Sequence, residues 1–303
     1  MQRKDRIDMF GAVSLTGFAL FLAINQVVIK LVNEGLQPAF FAGARSALAV
    51  LCLWAFMAWR GRPPRLSRAM AVPGLLIGLC FSAEFLLLFL ALDLTTVTRS
   101  AILFYSMPVW MALGAHLWMP GERIGPAKAL GLGLALAGVA WALLDRAAGA
   151  PAPGQAPSLL GDLCALGAAL GWAGTALMTR LTRLRHERPE MQLYWQVLVS
   201  APVLLLAAPL FGPLIRDLQP VHIAGLAFHA VAVVSAGFMF WLWLLSIYPV
   251  SSVASFSFLS PVFSVGLGWA LLGEQVGPSL IGALVLVAAG IVLINRPRRA
   301  VAL

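Results

Sequence analysis

Long apolar stretches broken by short clusters of proline, glycine and charge set the rhythm of this chain. Dividing it at those clusters gives spans at about 9–32, 38–59, 70–92, 97–118, 126–144, 159–181, 191–211, 221–246, 250–272 and 278–295. Each approaches 20 residues, the length a helix needs to cross roughly 30 Å of hydrocarbon. A spanning strand needs only about half that length, so the spans are predicted to be helices. The predicted fold class is an all-α integral membrane protein of ten transmembrane helices, and an even number of crossings puts both termini on one side.

Composition supports the pattern. Of the 303 residues, 61% are hydrophobic and 11% charged, whereas soluble domains carry about 25% charge. The partner this implies is the lipid bilayer. A net charge of +9 raises nucleic acid as a partner, but the basic residues sit in short clusters between apolar runs, and topology accounts for them better. With the N-terminus in the cytoplasm, sixteen Lys and Arg fall in inner segments, including Arg60, Arg62, Arg65, Arg68 and Arg183, Arg185, Arg188. Four, namely Lys30, Arg99, Arg146 and Arg216, fall in outer segments or helix ends, and Arg45 lies within a span. That excess predicts both termini inside. The basic start MQRKDR precedes an apolar run of spanning length without a convincing A-x-A site, and reads as a retained first helix. Cys52, Cys80 and Cys164 lie in apolar runs without CxxC or Cys/His spacing, which argues against a disulfide framework or a metal site.

The chain also repeats itself. Shifting it by 153 residues aligns Ser82-Ala83-x-Phe85 with Ser235-Ala236-x-Phe238, Val97 with Val250, Ala101 with Ala254 and Pro108-Val109 with Pro261-Val262. After a one-residue gap, Gly121-Glu122 aligns with Gly273-Glu274 and Gly125-Pro126 with Gly277-Pro278. The expected organisation is a first five-helix repeat at 1–146, an outer linker at 147–158 (AAGAPAPGQAP and its flank) and a second repeat at 159–303 with a cytoplasmic tail. Because five is odd, the second copy enters the membrane from the opposite side. Inverted repeats of this kind place a substrate site at their interface near the midplane.

The paired Pro-Val…Gly-Glu…Gly-Pro segments, a first helix ending Asn25-Gln26-Val27-Val28-Ile29-Lys30 and a second helix opening PAFFAGAR up to Arg45 resemble the ten-helix, EamA-type exporters of the drug/metabolite transporter superfamily. The likeness covers nearly the whole chain and is strongest to the aromatic amino acid exporter type. It implies a basket of two inverted halves around a central cavity, a small-molecule substrate and no cofactor or ATP-binding domain. The turn GERIGPAK lacks Walker spacing in any case.

Candidate substrate contacts are the polar and aromatic groups within spans. Arg45 and Glu84 are ionisable groups inside spans, which is costly unless they face the bundle interior. Arg45 is about seven residues and Glu84 about eight from the outer ends of sequential helices, roughly 10–12 Å deep, so an ion pair is within reach. Such a pair either is structural or borders the cavity, where Glu84 releases Arg45 to a substrate carboxylate. His229 titrates near neutrality when unperturbed and is read as a cavity group or a packing histidine. The amides Asn25 and Gln26, with Thr175, require protein or water partners. Phe81, Phe85 and Phe89, together with Phe238, Trp241, Trp172 and Tyr105, either grip an apolar substrate or pack. Pro108 and Pro261 lie inside spans four and nine as hinges or fixed bends. Gly131 and Gly138 against Gly282 and Gly290 allow close packing within each half or in a dimer; nothing in the pattern requires more than one copy, and a monomer is compatible with it.

An enzyme would need clustered acids, histidines or a nucleophile, whereas Asp8, Asp162, Glu122 and Glu274 all sit at span starts or turns. The expectation is therefore a secondary transporter or facilitator that exports small metabolites by alternating access, amino acids including aromatic ones. Related carriers of drugs, carboxylates or nucleotide-linked metabolites are the alternative.

Overall fold

The computed structural model describes residues 7–119, 122–145, 158–248 and 256–295. The expected linker except Ser158, the Pro120-Gly121 pair, the start of span nine and the basic residues of both termini lie outside the described residues. Within them the chain is helical: α1 Met9–Gly35, α2 Pro38–Trp59, α3 Arg68–Leu94, α4 Val97–Phe104, α5 Met107–Trp118, α6 Pro126–Leu144, α7 Leu159–Leu181, α8 Pro189–Ala207, α9 Pro220–Phe228, a π-helical stretch His229–Gly237, α10 Phe238–Ile247, α11 Leu259–Leu272 and α12 Pro278–Ile294. Eight helical segments are long and apolar enough to cross a membrane, and the last two apolar segments are shorter, Phe256–Leu272 and Pro278–Ile294. The protein is a multi-pass membrane protein.

Local chemistry sets the helix starts. The Asp8 side chain accepts from the Gly11 amide at 2.9 Å, and Gln37, Thr96 and Ser158 cap α2, α4 and α7 in the same manner. Each satisfies an amide that the first turn leaves without a partner. Proline opens α2, α6, α8, α9 and α12, where its missing N–H costs nothing.

Pro108 breaks its span rather than bending a helix interior. In a continuous helix its nitrogen would serve the Phe104 carbonyl four residues back, which proline cannot do. Accordingly α4 ends at Phe104, and α5 restarts with Pro108 in its first turn. Pro261 likewise lies in the first turn of α11. Neither is an interior kink.

The halves interlock. α3 packs along α7, and α1 reciprocally along α9; α1 packs on α11, as α7 does on α4 and α5. α2 pairs with α8 and α6 with α12. The last pairing explains the small residues: a Cβ at Gly138 would lie 2.7 Å from the Ala283 carbonyl oxygen, and one at Gly131 would lie 2.9 Å from that of Gly290. They bring α6 and α12 backbone to backbone, so the close contact lies between the halves, not within either one.

At the end holding the α1–α2 turn, the segment after α8 crosses the bundle. Leu36 and Ile215 form an antiparallel bridge, the Gln37 amide donates to the Leu214 carbonyl and the Arg216 amide to that of Gly35, both at 3.0 Å. The Gln37 side chain donates to the Ala208 carbonyl. Arg216 grips Asp93 of α3 through two bonds, at 2.6 and 2.9 Å. That hydrogen bonding raises the Arg216 guanidinium above its ordinary value, so it stays charged.

Candidate functional site

Arg45 sits two turns into α2 and is 1% exposed. Its guanidinium carbon lies 3.7 Å from the centroid of the Phe85 ring, 5.0 Å from Phe89 and 5.8 Å from Phe81. The i, i+4 spacing of the three phenylalanines on α3 builds this aromatic wall. Among the described residues Nε and Nη2 of Arg45 have no hydrogen-bond partner. A desolvated cation–π contact contributes about 2 kcal/mol, whereas burying an ion costs several kcal/mol. The rings alone do not compensate for the burial, and the free edge of the guanidinium remains a strong anion receptor.

The expected ion pair with Glu84 is not formed. Among the described residues no carboxylate lies within 4.0 Å of Arg45, although the two charges are near enough to interact. The reason is the face of α3 that meets α2: Phe85 takes the guanidinium, while Glu84, one residue earlier and about 100° round the helix, turns toward α7. There the Thr175 hydroxyl approaches it at 3.5 Å, too long for a strong bond. Gly171 makes this approach possible, since a Cβ there would lie 2.8 Å from the Glu84 Cα. Thr175 also donates to the Gly171 carbonyl, and Thr179 in turn to that of Thr175.

His229 completes the group. It is fully buried, meets Phe41 at 5.1 Å and Phe89 at 5.9 Å between ring centroids, and begins the π-helical stretch. π-Helical turns are rare and frequently lie at functional sites; this stretch runs for nine residues. Neither ring nitrogen completes a hydrogen bond, the Asn25 backbone being a neighbour. Among the described residues Asn25 Oδ1, Gln26 Oε1, Asn33 Oδ1 and Ser46 Oγ are also buried without partners. Polar groups left unpaired in a protein interior cost about 1–3 kcal/mol each. Six residues from α1, α2 and the π-helical stretch thus present polar atoms without partners among the described residues.

The remaining candidates scatter. Trp172 is half-buried on α7 beside Gly171, and Tyr105 packs on Phe104 at the α4–α5 break. Phe238 belongs to the cluster that includes Phe81 and Met191. Trp241 stacks on Phe18 with centroids 5.2 Å apart and joins Leu15, Leu244 and Tyr248 in a separate cluster from the Arg45 wall.

Two buried ionic features lie where the sequence pattern placed helix ends and turns. Arg99 and Asp162 are fully buried and paired at 2.7 Å, joining α4 to α7; Arg99 also donates to the carbonyls of Ala142 and Asp145. Asp162 further accepts from the Thr95 hydroxyl. Glu274, in the turn before α12, accepts from the amides of Val97 and Thr98 at 2.7 and 2.9 Å and from the Thr98 hydroxyl at 2.6 Å. It caps α4 from the other half of the chain. Lys30 donates to the carbonyls of Leu92 and Thr95, closing the end of α3. The signal that was available is composition: a charge within a few residues of two apolar spans has little water to reach.

The site is enclosed. One end is crossed by the 212–219 segment. Toward the other end, Ala49, Leu53, Met57, Ile77 and Trp195 fill the space between α2, α3 and α8, beyond which a hollow of about 510 Å³ opens among Arg62, Arg65, Ser67, Glu187 and Arg188. Among the described residues no three His, Cys, Asp or Glu side chains gather to hold a metal.

Known proteins share this organisation. Residues 9–144 and 159–296 each match the EamA-like transporter family. The uncharacterized transporter YvbV of Bacillus subtilis (strain 168) is 32% identical over 207 residues, 66% of this chain, and the chain spans only 63% of that relative's length. A probable amino-acid metabolite efflux pump of Escherichia coli (strain K12) is 26% identical over 300 residues, covering 96% of this chain and 94% of its own. A solved crystal structure, 20% identical, shares the fold with a TM-score of 0.65 over 92% of this chain and 95% of its own. These matches point to transport rather than catalysis. The chain belongs to the EamA-like transporter family.

Proposed function

We propose that this protein is a secondary transporter or facilitator that exports small metabolites, amino acids including aromatic ones, across the bacterial inner membrane, with both termini in the cytoplasm. The carrying observation is that Asn25, Gln26, Arg45, Ser46 and His229 bury polar atoms that complete no hydrogen bond among the described residues, inside a multi-pass membrane protein. A merely structural bundle has no use for polar groups that neither lipid nor protein satisfies, whereas a carrier needs them to replace the hydration of its cargo. The similarity to a probable amino-acid metabolite efflux pump supports the substrate class.

Alternating access is the mechanism this reading entails. Ten spans form two inverted halves, 1–146 and 159–303, joined by an outer linker, and rocking of the halves exposes the site to each side in turn. The reciprocal packing of α3 on α7 and α1 on α9 supports the inverted arrangement. In this orientation the 212–219 segment closes the outer side, and the arginine-lined hollow faces the cytoplasm. The helix break before Pro108 and the first-turn position of Pro261 are the places where the spans can flex.

Cells that express the protein should tolerate toxic aromatic amino acid analogues at severalfold higher concentration than cells carrying an Arg45→Met variant at equal membrane abundance. Equal sensitivity, with resistance instead to a dicarboxylate or nucleotide-linked toxin, would move the substrate to the alternative cargo of this superfamily.

A further inference from the structure

The geometry points to a zwitterion site: we propose that Arg45 and Glu84 bind the two charged ends of one α-amino acid head group, the carboxylate on Arg45 and the ammonium on Glu84. This rests on the reading of the protein as a transporter and narrows what its site accepts.

The two side chains are an ionisable base and acid at similar depth and nearly complete burial, at 1% and 3% exposure, yet no ion pair joins them. Opposite charges in a low-dielectric interior attract strongly. Here packing holds them apart. Phe85 lies under the guanidinium plane at 3.7 Å, which fixes the direction of the Nε–Nη2 edge, and Gly171 holds the Glu84 backbone against α7. The free edge of the guanidinium presents two parallel N–H donors, the fork that fits a carboxylate. Glu84 meets Thr175 at 3.5 Å and accepts no charged donor among the described residues, so an ammonium is the group it lacks.

A ligand with both charged groups on one carbon satisfies both poles at once, leaving neither buried group unpaired. A monocarboxylate leaves Glu84 unmatched. An amine leaves Arg45 unmatched, and a dicarboxylate or phosphate sets like charge against Glu84. The rest of the substrate meets an apolar wall, Phe41, Phe81 and Phe89, with the amides of Asn25 and Gln26 nearby on α1. This makes the site selective for the head group and permissive toward the side chain.

The test uses the purified full-length protein in liposomes loaded with phenylalanine, measuring exchange of labelled L-phenylalanine in competition with 3-phenylpropionate, phenethylamine and unlabelled amino acids. Each analogue lacking one charge should compete at least about tenfold more weakly than phenylalanine, the loss of one charge-assisted contact. Glu84→Gln should weaken phenylalanine while leaving 3-phenylpropionate unchanged or improved, and Arg45→Lys should retain more exchange than Arg45→Met. Melting of each variant in detergent identifies those that fold, and the analogue series on the native protein needs no variant. Phenylalanine exchange with equal competition by 3-phenylpropionate or phenethylamine would overturn the zwitterion site while leaving transport intact. No exchange of any amino acid, with movement of a dicarboxylate or nucleotide-linked solute, would overturn the substrate reading and this site with it.

Discussion

Arg99→Met lowers stability by about 3–5 kcal/mol, the cost of leaving one member of a fully buried pair without the other. Asp162, 0% exposed, would keep only the Thr95 hydroxyl as a side-chain partner, and the Ala142 carbonyl would lose the Arg99 donor. Asp162→Asn acts in the same direction through the stranded guanidinium. The double variant Arg99→Met/Asp162→Leu recovers much of the loss, because replacing a buried ion pair by apolar groups of similar volume is often neutral. Melting of the detergent-solubilised protein, followed by size-exclusion chromatography, reads all three. Single variants that melt with the native protein would show that the pair does not hold α4 to α7.

The two aligned glutamates give the second large effect, and it is asymmetric. Glu274→Ala removes a carboxylate that accepts three hydrogen bonds at the start of α4 and leaves two buried amides unsatisfied, each worth about 1–3 kcal/mol. The expected loss is about 3 kcal/mol, with Glu274→Gln intermediate because one carbonyl oxygen still accepts. Glu122 occupies the matching place in the first repeat, but its side chain is 40% exposed and meets Lys128 at 3.6 Å. Exposed pairs contribute about 0–1 kcal/mol, so Glu122→Ala melts close to the native protein. Equal losses from both substitutions would contradict the asymmetric capping.

How much of this was legible before the structure depends on what each feature requires. The spans were legible because hydrophobic length is one-dimensional. Arg45, Asn25, Gln26 and His229 were legible as candidates because any polar group inside an apolar span demands a partner. Depth along the helix was legible too, but direction around it was not: Arg45 and Glu84 share a level, and only the packing of α2 on α3 shows that Phe85, not Glu84, faces the guanidinium. Arg99 and Asp162 sit near span ends, where one sequence pattern serves both a wet terminus and a buried one. Likewise, the glycines of α6 and α12 signal close approach without naming the partner helix. The π-helical turn at His229 has no marker in the residues that form it.

The proposed function requires that this chain alone moves amino acids through a site built on Arg45. Efflux of labelled L-phenylalanine from liposomes that contain only the purified protein tests it most directly. Saturable efflux down the gradient is expected, falling to the rate of protein-free liposomes with a folded Arg45→Met variant; efflux unaffected by Arg45→Met, or none from the native protein, would overturn the proposed function.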